Sequence, residues 1–227
     1  MFTTCKVIDL GWIEYGPASE LQKQAVQEVM ADKSTSRIYL LEHLPVYTIG
    51  RAGGEHNVLV DETQLKELGI SKYEVDRGGD VTYHGPGQLV GYPILPLTRW
   101  GNDVRQYVRM LEEVVIRFLR GYGIEGGRIE GLSGVWVGPE KICAIGVKAS
   151  RDRHGKSFIT SHGFALNVQP NLSHFANIIP CGIVDKGVTS MKKLLDREIA
   201  MGEVKQGWVQ AFEEVFEVKC EWDSSDV

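Results

Sequence analysis

The chain has 227 residues, 43% hydrophobic and 24% charged, which suits one compact domain and excludes a disordered or fibrous protein. Its net charge of -5 leaves out a nucleic-acid footprint, which needs a basic excess, and disfavours adhesion to an anionic membrane. No apolar run approaches the roughly 18 residues that span a bilayer, and no basic head with an apolar core opens the sequence.

In chain order, residues 7–10 read as a first strand and residues 17–31 as a helix opened by Pro17, with Leu21, Ala25, Val26, Val29 and Met30 at helical spacing. Residues 37–44 and 47–49 read as strands around Pro45, and 61–68 as a short helix with an acidic cap. Residues 73–75 and then 81–95 continue the sheet. The clearest helix covers 103–122, with Val104, Tyr107, Val108, Leu111, Val114, Val115, Phe118 and Leu119 on one face and Gly121 and Gly123 closing it. Strands at 134–137, 142–149 and 157–168 follow, with RDRHGK as a hairpin tip. Helices at 190–195 and 204–216 lead to a last strand at 217–222. The expected class is α+β, a mixed sheet with flanking helices in a single domain over 1–227, its last few residues a flexible tail.

Glycine punctuates one strand-like stretch, RGGDVTYHGPGQLVGYP at 77–93, where interior glycine costs entropy and leaves nothing to pack. Such crowding marks a site where something approaches the backbone, with Tyr83 and His84 as its polar groups. A second His-Gly pair occurs at His162 and Gly163. Neither pair has metal-ligand spacing, and RGGD lacks the frame of a phosphate loop.

Four cysteines lie without CxxC spacing, so zinc and redox pairs are disfavoured and free thiols in a reducing cytoplasm are expected. Cys5 and Cys220 have no polar constellation in sequence, and Cys143 alternates with Ile142 and Ala144 as a core thiol. Cys181 differs, because Pro180 and Gly182 put it on a tight loop. That leaves two readings, a nucleophile presented on a turn or a buried structural thiol. A nucleophile needs a cation or base beside it, and His43, His84, His162, Lys141 and Lys148 are the candidates. Lys141 opens the apolar run KICAIGV, where it either snorkels at the strand end or points inward into a site.

Four blocks, RGGDVTYHGPGQLVGYPI, KICAIGVKASR, SHGFALNV and NIIPCGI, in this order over 77–183, resemble the lipoyl(octanoyl) transferases of the biotin/lipoyl protein ligase superfamily. The resemblance implies that Cys181 accepts an octanoyl group from acyl carrier protein as a thioester. It gives Lys141 the part of lowering the cysteine pKa. The acyl group then passes to a lysine ε-amine on lipoyl domains of 2-oxoacid dehydrogenases or of the glycine cleavage H protein. The family's substrate-binding segments fall on Arg77, Gly78, Gly79, Asp80, Val81, Thr82, Tyr83 and His84, on Ala144, Ile145 and Gly146, and on Gly163, Phe164 and Ala165. His43 and His162 are supporting candidates, and the resemblance implies neither metal nor cofactor.

The chemistry agrees: a thioester donor already carries the free energy for amide formation, and passing the acyl group through a cysteine splits a difficult transfer into two steps. Glycines at 78, 79, 146 and 163 would let an alkyl chain lie on backbone, and N–H groups near Cys181 and Gly182 could steady an oxyanion. A carboxylate at Asp80 beside an acyl pocket is costly, so it is expected on the strand exterior, facing solvent or paired with Arg77, without a role of its own. Lys148, Arg151, Arg153 and Lys156 form a basic patch suited to an acidic carrier protein. Rival readings are an ATP-dependent lipoate or octanoate ligase on the same scaffold, a cysteine hydrolase and a noncatalytic acyl-binding relative.

Overall fold

The computed structural model describes residues 4–152, 154–179 and 186–223. Elements run β1 (Thr4–Ile13), α1 (Tyr15–Ala31), β2 (Arg37–His43), β3 (Val46–Ile49), α2 (Glu62–Leu68), β4 (Ser71–Glu74), β5 (Val81–His84), β6 (Gln88–Ile94), α3 (Val104–Arg120), β7 (Gly127–Ile129), β8 (Leu132–Val137), β9 (Glu140–Arg151), β10 (Phe158–Asn167), α4 (Met191–Leu195), α5 (Met201–Phe216) and β11 (Lys219–Trp222). The proposed tail lies outside the described residues from 224 onward.

Eight strands form one sheet in the order β11-β1-β2-β6-β10-β9-β8-β7, and β4-β3-β5 form a second. β1 runs parallel to β11 and β2, whereas β6, β10, β9 and β8 pair antiparallel, so the large sheet is mixed. α3 and α5 cover one face with the principal core, where Phe164 of β10 stacks on Trp208 at 4.4 Å between centroids. α1 closes the other face over Tyr39, Val90, Tyr92 and Ala165. The small sheet has its own core of Tyr47, Ile49, Leu65, Val81 and Tyr83.

Local signals act as their chemistry requires. Asp61 caps α2 in a reciprocal box with Gln64, and Asp103 caps α3 by accepting from Arg105 and Gln106. The expected strand at 81–95 divides into β5 and β6, which belong to different sheets. Gly87 makes the division, with φ +85° and a position where any Cβ would meet the Gln169 carbonyl oxygen at 2.5 Å. The last strand begins at Lys219 rather than 217, because Glu217 ends α5 in a left-handed conformation at φ 52°. β7 had no sequence signal, being three residues long and containing a glycine.

Candidate active site

The two sheets meet around an apolar cavity. Its walls come from the RGGDV segment, the middles of β9 and β10, Val90 and Tyr92 of β6, Trp136 of β8 and Lys186–Val188. Of the expected residues, Arg77, Gly78, Gly79, Asp80, Val81, Thr82, His84, Lys141, Ala144, Ile145, Gly146, His162, Gly163, Phe164 and Ala165 all line it.

Tyr83 does not. Successive side chains of a strand alternate, so the Tyr83 ring enters the small core instead, against Tyr47, His174 and Phe175. His43 is fully buried behind the wall, with its Nε2 2.6 Å from the Tyr92 hydroxyl and its ring packed against Tyr15 and His84, and all three of these residues line the cavity.

Asp80 corrects another expectation. It is buried rather than exterior, and its two carboxylate oxygens each accept from Asn57 Nδ2 at 2.9 Å, while the Val81 N–H also donates to it. Its partners fix the turn that carries Arg77–Gly79, which is why a carboxylate is tolerated beside an apolar space.

Two of the cavity-lining glycines also serve the packing of the strands. A Cβ on Gly163 would sit 2.2 Å from the Gly91 carbonyl oxygen, and one on Gly146 would sit 2.9 Å from that of Gly78. They let neighbouring chains approach each other, and the Gly78 N–H accordingly donates to the Val147 carbonyl at 3.0 Å.

Lys141 settles its ambiguity by pointing inward, with Nζ 4.7 Å from the centroid of the Trp136 ring. Trp136 and Lys141 are register partners across β8 and β9, so strand pairing brings the indole within reach of the lysine side chain. Both backbone polar groups of Lys141 are occupied as well. Its N–H donates to Gly187 at 2.9 Å, and its carbonyl accepts from the Thr189 N–H at 3.0 Å.

Cys181 lies outside the described residues, as does Arg153. Before it, Ile179 donates its N–H to the Asn57 carbonyl, and after it, Lys186, Gly187 and Val188 join the cavity wall. Cys143 is wholly buried, and burial pushes its thiol far up, away from the reactive thiolate. Cys5 faces Cys220 across β1 and β11, and that contact together with burial raises its pKa.

Three histidines lie in or behind the cavity wall, and burial disfavours the charged form of each. It lowers His43 to about 4, and it lowers His84 to about 3 with help from the neighbouring His43 charge. His162 is lowered too, because burial outweighs the pull of Asp76. Their tautomers follow from their hydrogen-bond partners. The Ile13 carbonyl can only accept, so His43 Nδ1 carries the proton and Tyr92 donates to Nε2. His84 Nδ1 donates to Gln88 Oε1 at 2.7 Å, since the Gln88 amide is spent on the Tyr83 carbonyl and on Asn167. His162 Nε2 donates to Asp76 at 2.8 Å.

Arg77 completes the polar rim by donating to the Thr48 carbonyl and hydroxyl at 2.8 and 2.9 Å. Among the described residues no group of three His, Cys, Asp or Glu side chains could hold a metal ion. No helix among them is long and apolar enough to cross a membrane.

Sequence reasoning missed Gln88 and Asn167, which pair in register at the cavity floor, along with Trp136, Tyr92 and Tyr15. The first two carried a signal: an amide at the end of each apolar strand, QLVGYPI and HGFALN, marks a buried polar pair. Lys148 of the expected basic patch bonds Asp76 instead of standing free, while Arg151 and Lys156 are exposed.

The profile of the lipoyl protein ligase A/B catalytic domain matches residues 14–213. An octanoyltransferase of Parabacteroides distasonis is 46% identical over 219 residues, covering 90% of this chain and 96% of its own. One from Caldanaerobacter subterraneus subsp. tengcongensis is 48% identical over 217 residues, covering 95% and 92%. Among solved structures, the bipartite lipoate protein ligase of Thermoplasma acidophilum superposes with a TM-score of 0.75 over 97% of this chain and 87% of that one. At 18% identity it attests the fold alone. The chain belongs to the lipoyl protein ligase A/B catalytic-domain family and, within it, to the octanoyltransferases.

Proposed function

We propose that the chain is a single catalytic domain that moves an octanoyl group from acyl carrier protein, through a thioester on Cys181, to the ε-amine of a lysine on a lipoyl domain. The observation that carries this reading is the placement of Lys141, which faces an apolar cavity while its backbone is clamped to Gly187 and Thr189, just beyond Cys181 in sequence. These backbone bonds tie the start of β9 to the chain that follows the cysteine, which supports pairing Lys141 with Cys181.

In this reading the ammonium stabilises the Cys181 thiolate, which attacks the donor thioester. Lys141 gives its proton to the departing carrier thiolate and is left neutral. The octanoyl chain rests against Val90, Ile145, Phe164 and Ala165. In the second step the neutral Lys141 takes a proton from the incoming ammonium, a step that an amine near pKa 10.4 requires. Because the donor is already a thioester, no nucleotide and no cofactor takes part. The free thiols of Cys5, Cys143 and Cys220 suit a reducing, cytoplasmic setting.

Lipoyl domains, as in 2-oxoacid dehydrogenases and the glycine cleavage H protein, are the acceptors. Carrier protein docks on the exposed Arg151 and Lys156 side of the β9–β10 hairpin, where charge is available.

Intact-protein mass after incubation with octanoyl carrier protein tests the reading. One octanoyl adduct without added ATP, absent in Cys181→Ser, is the expected result. Transfer that proceeds with no adduct on the wild type, or only with ATP, would overturn it.

A further inference from the structure

Proton balance leaves the two-residue mechanism one acceptor short. The acceptor lysine enters as an ammonium and leaves as an amide nitrogen, so it loses two protons. Its lone pair forms the C–N bond, and the electron pair of the broken C–S bond stays on Cys181 sulfur. Lys141, neutral after the first step, takes one proton and restores its pair with the thiolate. The second proton must leave the cavity.

One residue lines both that cavity and a second cleft. His162 belongs to the acyl cavity and also to a cleft bounded by Ser19, Gln22, Lys23, Asp76 and Lys148, between α1 and the edge of β9 and β10. The cleft reaches solvent, because the Asp76 side chain is half exposed. Within β10, His162 has φ 55°, a left-handed conformation that costs a non-glycine residue of order 1 kcal/mol and persists only where the surroundings enforce it. The enforcement is visible: its N–H donates to Oε1 of the buried Gln22 at 2.7 Å, from α1. That anchor holds His162 where it borders both the acyl cavity and the cleft.

The ring is prepared for one proton. Nε2–H is committed to Asp76, so the neutral tautomer keeps its lone pair on Nδ1. The charged or titratable groups around it include Asp76 and Lys148 in the cleft, Lys23 at its rim, Arg77, His84, Tyr15 and Lys141 on the cavity wall, and Tyr92, whose ring stands edge-on to it at 6.3 Å. Arg77 and Lys148 oppose an imidazolium and Asp76 favours it. Transient protonation followed by discharge to water is the behaviour such a balance supports.

We infer that His162, oriented by Asp76, takes the second proton of the acceptor amine and passes it to solvent through the cleft beside Asp76. His162 acts as a base in the transfer step, and Asp76 is a positioning residue. The inference rests on the acyl-enzyme reading and adds an exit that Cys181 and Lys141 do not supply. Loading of Cys181 releases no net proton, so it does not need that exit.

Octanoyl-enzyme is prepared for the wild type, His162→Gln and Asp76→Asn, then mixed with lipoyl domain while loss of the adduct is followed by mass. The transfer step of His162→Gln is expected to slow at least about tenfold relative to its loading step, with added imidazole restoring much of the rate. Asp76→Asn, at a half-exposed position that leaves the fold intact, should slow transfer less and raise its dependence on pH. Transfer at the wild-type rate in both variants overturns the inference, and so does a loss that imidazole never restores. Absence of an adduct on the wild type would instead sink the acyl-enzyme reading itself.

Discussion

The Tyr92 hydroxyl donates to His43 Nε2 across 2.6 Å, with both groups buried and the far side of His43 held by the Ile13 carbonyl. His43 therefore supports the cavity wall from behind, by fixing a ring that lines it. Tyr92→Phe would leave His43 Nε2 buried without a donor, at a cost of about 1–3 kcal/mol. Urea unfolding should show a lower midpoint with an unchanged slope; a midpoint equal to wild type would mean that the pair contributes nothing.

Acid should weaken the fold in a defined window. His43 and His84 have folded-state values of about 4 and 3, below the ordinary 6.5, so the unfolded chain binds protons that the folded chain refuses. Their contribution is complete above pH 6.5 and is lost as pH falls through about 4 for His43 and about 3 for His84, each histidine removing up to about 1.4 kcal/mol per pH unit. Asp76 works lower down. Burial would raise its carboxyl, but hydrogen bonds from Lys148 and His162 prevail and hold it at about 2, so its contribution is lost only below about pH 4. Urea midpoints at pH 7 and pH 5 measure the histidine window, and an equal or higher midpoint at pH 5 would contradict it.

Gly163→Ala should be costly for a site that looks permissive. The added methyl would meet the Gly91 carbonyl oxygen at 2.2 Å and Pro93 Cδ at 2.8 Å, so β10 and β6 must part. A loss of about 1–3 kcal/mol is expected, with poorer octanoyl loading because the cavity wall shifts. Thermal melts and adduct mass together check this; full stability with full loading would show that the strands separate freely.

Lys141→Arg separates two duties of one side chain. Arginine keeps the cation that stabilises a thiolate but cannot give up its proton. Loading should survive at a reduced rate, whereas transfer to lipoyl domain should fall by roughly 10²–10⁴. Stopped-time mass measurements resolve the steps, and a transfer step slowed no more than loading would show that Lys141 is not the base of the second step.

Much of this architecture was legible in residue order, and what escaped had identifiable causes. Helix α3 announced itself because eight apolar side chains repeat at its period and Asp103 caps it. Lys141 could be singled out but not oriented, since a lysine at a strand end snorkels or enters depending on its cross-strand partner, here Trp136. Tyr83 looked polar in sequence, yet alternation sends it into the small core while Thr82 and His84 turn to the cavity. Asp80 could not be placed because its partner, Asn57, lies 23 residues earlier in a segment with no motif. Asp76, one position before the glycine-rich stretch, gains meaning only when Lys148 and His162 arrive from two other strands.

The pairing of Thr4 with Lys219 has a consequence for how the protein is made. β1 leaves the ribosome before the other described strands, and its outer edge waits for β11, more than 200 residues later. At about 5–20 residues per second, the nascent chain carries an unpaired strand edge for roughly ten to forty seconds. Closing so distant a contact is slow and exposes that edge to other chains meanwhile. The half-buried Cys220 and its neighbours in β11 thus decide when the sheet becomes safe, a step that comes only after Lys186–Val188 have joined the cavity wall.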